Sequence, residues 1–339
     1  MTKPATRVHH VARFELEDGT VLHDLEQAYT LDGELNAAGD NLVVIFHSLT
    51  GAPAPRDWWP GVVGPGTPLD PARYAILCTN LLGSCYGTTF PRTPDGARPA
   101  ITTRDMARLV KLLVDEIGAT SVALATGGSL GGMVALEWAA TFPELTRTVI
   151  SFAAPAAHPA QAIAWNHVQR RAIELAGTDG LALARMIAMI SYRTAAEFEH
   201  RFGRSLRDDG YFQMRSYLDH HGMKLVDRFD AESYLALIDA MDAHDVGRGR
   251  GGVAAALRAF KGRLVGVGIP GDLLYSADDV RAWVDAAGGE YRTIESPHGH
   301  DAFLLEMDQV RAILEQILEE PGLMTAAHAA EMNFDGGIE

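Results

Sequence analysis

The sequence predicts an α/β protein: a mostly parallel central sheet with helices on both faces and an inserted helical lid. Three features of the 339-residue chain predict it. Short apolar runs rich in β-branched residues alternate with helical stretches as far as residue 154. From there to about residue 260 only helical periodicity is visible. The alternation then resumes. Together these divide the chain into a first core segment at 1–154, a lid at 155–261, a second core segment at 262–320 and a tail at 321–339.

Residues 7 to 30 read as two strands joined at "EDGT". "NLVVIFHSL" (41–49) and "YAILCTNL" (74–81) are apolar enough to be strands buried on both faces. Thr102 and Asp105 form a capping box, and Met106, Leu109, Val110, Leu113 and Ile117 give the helix that follows an apolar face. "SVALAT" (121–126) is a strand, 129–143 a helix and "TRTVISFAA" (146–154) a strand. After the lid come a strand at 263–269, a helix opened by Ser276 and Asp279, a strand at 290–296 and a long helix from about 300 to 319. The tail after Pro321 is expected to fray.

Composition narrows the function. Forty-seven per cent apolar residues suffice for one large core. Twenty-nine basic residues face 44 acidic ones, a net charge of −15, with no basic stripe. Nucleic acid and anionic membranes are therefore poor partners. Cys78 and Cys85 are too few for a disulfide framework and wrongly spaced for a metal site. So few cysteines fit a reducing cytoplasm, where the protein is expected, and the first 19 residues lack a signal peptide's apolar segment. Two uncharged stretches, 117–136 and 148–169, are broken by glycines or by prolines and histidines, and neither reads as a membrane span.

Residues 127–132 hold four glycines around Ser129. No lysine follows as a phosphate loop requires, and G-x-G-x-x-G does not fit. G-x-S-x-G does fit, between a strand and a helix: the nucleophile elbow of the α/β-hydrolase fold. The serine hydroxyl would project above the sheet, and the Leu130 N–H at the helix N-terminus could stabilise an oxyanion. A second donor belongs after an early strand, which points to the Leu49 N–H. "GVGIPG" (266–271) matches a dinucleotide fingerprint, but no helix follows it directly.

A serine needs a base, and the base an orienting carboxylate. The order on this fold is serine, carboxylate, histidine. Asp272, after the strand 263–269, and His300, after the strand 290–296, fill those places. His298 competes, but Gly299 permits the turn that aims His300. Asp278 and Asp279 read as helix-capping carboxylates. His47 reads as a strand end, and His220, His221 and His244 as solvated helix faces. No metal site is expected.

With these residues identified, the chain resembles the homoserine O-acetyltransferases over residues 12–318. The resemblance rests on "LTG" (49–51), "WWPGVVGPG" (58–66), "LGSCYG" (82–87), "TRDM" (103–106) and "GGSLGGMVALEWA" (127–139). "GLALAR" (180–185), "RFDAESYL" (228–235) and "GHDAFLLE" (299–306) extend it. It implies a ping-pong reaction in which Ser129 takes an acetyl group from acetyl-CoA and gives it to L-homoserine, with acetyl-CoA as co-substrate and no bound cofactor. It further implies that Arg185 and Tyr192 contact the amino acid, that Asp301 holds its ammonium, and that two chains pair through the helical lid. From spacing alone, Arg185 could instead meet a neighbouring acid, and Asp301 could be a first-turn carboxylate. Succinyl transfer, serine as acceptor, and an esterase or thioesterase remain alternatives. The shortened "ELAGTD" (174–179) and Phe90 depart from the family near the expected acceptor pocket or channel.

Overall fold

A computed structural model describes residues 3–319. Eight strands form one sheet in the order β1-β2-β4-β3-β5-β6-β7-β8. They are β1 (Arg7–Glu15), β2 (Val21–Asp32), β3 (Leu42–Phe46), β4 (Ala75–Thr79), β5 (Val122–Gly128), β6 (Thr146–Phe152), β7 (Arg263–Gly268) and β8 (Glu290–Thr293). β1 and β2 pair antiparallel, as do β2 and β4, and all other pairings are parallel. β3, β4 and β5 are buried at every residue, as strands covered on both faces must be.

The helices between β3 and β6 are α1 (Pro55–Trp58), α2 (Thr103–Ile117) and α3 (Leu130–Thr141). The capping box of α2 forms, with Thr102 accepting from the Asp105 N–H and Asp105 reaching back to the Thr102 N–H. Five helices lie between β6 and β7: α4 (Ala160–Tyr192), α5 (Ala195–Arg201), α6 (Gln213–Val226), α7 (Ala231–Asp242) and α8 (Val253–Arg258). α4 bends sharply at Gly177, where φ is +55° and ψ −120°. Its two halves then touch so closely that a Cβ on Gly180 would lie 2.1 Å from the Ala172 carbonyl oxygen. The shortened 174–179 segment is thus a tight helical reversal.

α9 (Ala277–Ala287) opens with the Ser276–Asp279 capping box, as its sequence predicts. The strands end two or three residues earlier than expected at β3, β4 and β8, because those residues turn into loops above the sheet. The expected last helix is three pieces: a 3-10 turn at Gly299–Asp301, α10 (Ala302–Leu305) and α11 (Met307–Glu319). At the break, the Phe303 carbonyl, which would accept from residue 307 in a continuous helix, accepts from the Trp59 indole N–H at 2.8 Å. The expected tail at 321–339 lies outside the described residues.

His244 is not on a solvated face. It is buried; its Nδ1 lies 2.8 Å from the Thr103 hydroxyl and its Nε2 3.1 Å from the Pro155 carbonyl, and burial pushes its pKa down to about 3. His220 is exposed, and His221 is half-buried against the Tyr217 ring. The glycines of "GVGIPG" serve packing: a Cβ on Gly266 would meet Val284 and Trp283, and one on Gly268 the Tyr291 hydroxyl. No helix among the described residues is long and apolar enough to cross a membrane.

Candidate active site

Ser129 sits between β5 and α3 with φ +57° and ψ −124°, a conformation that costs about 1–3 kcal/mol for a residue with a side chain. The surroundings enforce it. Its N–H donates to the Phe152 carbonyl at 2.9 Å, and its own carbonyl accepts from the Met133 N–H at 3.0 Å. A Cβ on Gly127 or Gly131 would come within 2.5 or 2.1 Å of the Phe46 carbonyl oxygen. The glycine spacing is therefore what lets the turn press against the end of β3.

His300 Nε2 lies 2.9 Å from Ser129 Oγ, and its Nδ1 lies 2.7 Å from Asp272 Oδ2. Asp272 Oδ1 accepts from the Leu274 and Tyr275 N–H groups at 2.8 and 3.0 Å. The carboxylate thereby fixes the proton on Nδ1 and leaves Nε2 to accept from the serine hydroxyl. All three residues are buried. Burial by itself depresses the His300 pKa, but the charge and hydrogen bond of Asp272, helped by the Asp301 charge, overcome it and raise the value above 6.5. Gly299, with φ +66°, makes the turn that carries the ring. His298 instead lies 3.3 Å from Glu197.

Leu130 is the first residue of α3, where a helix leaves its N–H groups unpaired. Leu49 and Ser129 line the same cavity of roughly 100 Å³. Two residues to which sequence reasoning assigned no part in the site, His47, read as a strand end, and Arg228, hold the Leu49 loop. His47 is fully buried; its Nδ1–H donates to the Ser48 carbonyl at 2.8 Å, and its Nε2 accepts from the Leu81 N–H at 3.0 Å. Burial pushes its pKa down to about 4, which keeps the ring neutral and able to accept. Arg228 donates to the Thr50 carbonyl at 2.8 Å and to the Thr50 hydroxyl at 3.1 Å.

Arg185 and Tyr192 line the same cavity as Ser129, His300 and Asp301. The Arg185 guanidinium lies 5.6 Å from the Tyr192 ring centroid, and that ring lies 5.4 Å from the His300 ring. No carboxylate among the described residues pairs with Arg185. Burial pushes the Tyr192 phenol pKa up to about 12, opposed by Arg185. Asp301 makes no helix-capping hydrogen bond; its Oδ2 lies 2.9 Å from Arg193 Nη2. Neither Phe90 nor the 174–179 reversal lines the cavity; Phe90 packs beneath the Arg92 guanidinium. Among the described residues no three His, Cys, Asp or Glu side chains cluster as a metal site would need.

A family model described as the alpha/beta hydrolase fold matches residues 41–182. Homoserine O-acetyltransferase of Moorella thermoacetica is 42% identical over 348 aligned residues, covering 90% of this chain and 93% of its own. That of Thermobifida fusca is 43% identical, covering 90% and 91%. The crystal structure of homoserine O-acetyltransferase from Staphylococcus aureus is 28% identical and superposes with a TM-score of 0.81 over 97% of this chain and 99% of its own. Identity of this depth along nine-tenths of the sequence, on a fold that presents a buried serine, histidine and aspartate in hydrogen-bonding sequence, leads to one conclusion: the chain belongs to the homoserine O-acetyltransferase family of α/β hydrolases.

Proposed function

We propose that the protein transfers the acetyl group of acetyl-CoA to the hydroxyl of L-homoserine, with Ser129 as nucleophile, His300 as base and acid, and Asp272 as the orienting carboxylate. His300 Nε2 takes the serine proton as Oγ adds to the thioester carbon. The Leu49 and Leu130 N–H groups stabilise the oxyanion, each contributing on the order of a hundredfold in rate. The carbon–sulfur bond breaks, the proton passes to the departing thiolate, and coenzyme A leaves. The homoserine hydroxyl then gives its proton to His300, attacks acetyl-Ser129, and releases O-acetylhomoserine with the serine restored.

The observation that carries this reading is Arg185, a cation with no carboxylate partner, in the same cavity as Ser129. Such a charge in a half-open pocket beside the nucleophile suits an anion, and a planar guanidinium matches the α-carboxylate of an amino acid. Water as acceptor would need no such group. Tyr192 flanks the carboxylate, and Asp301 receives the ammonium beside Arg193. The segment 155–261 acts as the lid that keeps water from the acyl-enzyme.

The family likeness supports a role in methionine biosynthesis, and we read the enzyme as cytoplasmic and as a homodimer through the lid. Ile163, Val168, Leu175, Leu183, Ile190 and Met223 are exposed apolar side chains there, with Leu175 76% exposed, and they supply a surface for pairing. The test is thiol release from acetyl-CoA with and without amino acids. Release beyond one thiol per enzyme should require L-homoserine and exceed that with L-serine or with succinyl-CoA as donor. Equal release with no amino acid present makes the protein a thioesterase instead.

A further inference from the structure

A second carboxylate–imidazole–hydroxyl array lies directly behind the first. His158 Nδ1 is 3.2 Å from Asp242 Oδ1, and His158 Nε2 is 3.0 Å from the Tyr275 hydroxyl. His158 and Tyr275 are both buried. The Tyr275 phenol pKa is pushed well above 10 by burial and by neighbouring negative charge, so the hydroxyl keeps its proton and donates it to Nε2. The other ring nitrogen, Nδ1, faces the Asp242 carboxylate.

Tyr275 is the shared member of the two arrays. Its N–H is one of the two backbone donors that hold Asp272 Oδ1. Its ring stands edge-on to the His300 ring, with centroids 5.2 Å apart and planes at 78°. The opposite neighbour is His158, whose ring lies 5.7 Å away at 63°. One side chain and its own peptide thus set both the plane of the base and the carboxylate that orients it.

What holds Tyr275 comes from the helical insertion. The His158 N–H donates to the His244 carbonyl at 2.9 Å, and the Val246 N–H to the Ala156 carbonyl at 2.9 Å, which ties the segment entering α4 to the segment leaving α7. Asp242 is the last residue of α7, and it also accepts from Asn166 at 2.7 Å and Arg170 at 3.2 Å on α4. A bulky apolar residue at 275 would fill the space. A tyrosine whose hydroxyl is held by an imidazole beside a carboxylate adds a fixed orientation, because a buried hydroxyl without its acceptor is costly.

We infer that His158 is a positioning residue for the acylation chemistry: it fastens Tyr275 against His300 and Asp272, and through Asp242 it couples the seating of α4 and α7 to the geometry of the base. The inference rests on the proposal that Ser129 is acylated. It needs neither homoserine nor coenzyme A.

The test uses the full-length protein and p-nitrophenyl acetate, an activated ester that reports acylation of Ser129 whatever the natural donor. The first-order acylation rate is read from the p-nitrophenolate burst, and steady-state kcat and KM are measured with acetyl-CoA and homoserine. His158→Ala is expected to slow acylation about tenfold or more, since small misplacements of a base cost that much. Both KM values should stay within about twofold, as the substrates do not touch residue 158. His158→Gln, which can still accept from the Tyr275 hydroxyl, should recover most of the rate. Tyr275→Phe keeps the ring and the N–H, so it reports loss of the fastening alone even if His158→Ala folds poorly. The double variant should be no slower than the slower single one. Acylation at the wild-type rate in both Tyr275→Phe and His158→Ala,Tyr275→Phe overturns the inference, as do losses that multiply in the double variant. Wild-type acylation by the ester but not by acetyl-CoA defeats the donor reading alone, and the ester kinetics still decide the role of His158.

Discussion

The carboxylate of Asp301 lies 2.9 Å from the guanidinium of Arg193, so the residue after the histidine base is paired with the residue after Tyr192. Both side chains are largely buried, and Arg193 also approaches Glu197 at 3.3 Å. On the proposed reading, Asp301 would therefore meet the substrate ammonium already fixed in place and already partly neutralised. Replacing Arg193 by methionine leaves the Asp301 carboxylate without its counter-charge, while Glu197 keeps Arg201 at 3.0 Å. It is expected to cost about 3 kcal/mol of stability and to raise the KM for homoserine at least tenfold. Arg193→Lys should recover part of both. Denaturant unfolding and steady-state kinetics check this, and an unchanged KM in a folded Arg193→Met would show that Asp301 does not need its partner.

Ser129 carries backbone strain that function requires and stability does not. Ser129→Gly should abolish transfer and at the same time stabilise the fold by about 1–2 kcal/mol, because glycine adopts the conformation without a Cβ clash. Thermal unfolding measures it. A lower melting temperature than wild type would mean that the turn is not strained.

Arg185→Gln keeps a hydrogen-bond donor and removes the charge. The loss in kcat/KM for homoserine should be about a hundredfold or more, far larger than the loss in the rate of enzyme acetylation. Single-turnover experiments separate the two steps. Equal losses in both would place Arg185 in donor binding.

Three buried histidines give opposite pH signatures. His47 and His244 have folded pKa values lowered to about 4 and about 3 by burial. The unfolded chain binds their protons first, near 6.5, so the stability they contribute is full above that pH and drains as pH falls towards 4. Protonating His47 in the folded protein costs about 3 kcal/mol. His300 is raised, so its contribution is present below 6.5 and lost as pH rises through its folded value. Stability should thus fall steeply on the acid side, and His47→Asn should flatten that fall. The rate should decline with decreasing pH from a point above 6.5, where His300 takes up a proton and stops acting as a base. A stability curve flat between pH 6.5 and 4.5 contradicts the buried-neutral assignment.

Much of this was readable from the chain because it depends on local geometry. The spacing of Gly127, Ser129 and Gly131 can only serve a turn against a strand end. The capping residues Thr102, Asp105, Ser276 and Asp279 mark their helices directly. The position of His300 followed from Gly299 and from the order of strands. The residues that escaped are those whose role is set by tertiary contact. His47 and His244 resemble any polar residue at the end of an element until Leu81, Thr103 and Pro155 are brought to them. The break at Glu306 is accompanied by an indole from Trp59, far away in sequence. Tyr275 and His158 are 117 positions apart and carry no shared motif.

The most direct measurement is mass spectrometry of the protein quenched shortly after mixing with acetyl-CoA and without an acceptor. One added acetyl group on the peptide that contains Ser129, lost on addition of L-homoserine and absent from Ser129→Ala, is the predicted result. An acetyl group found on another residue, or none on that peptide while transfer to homoserine proceeds, would contradict the account.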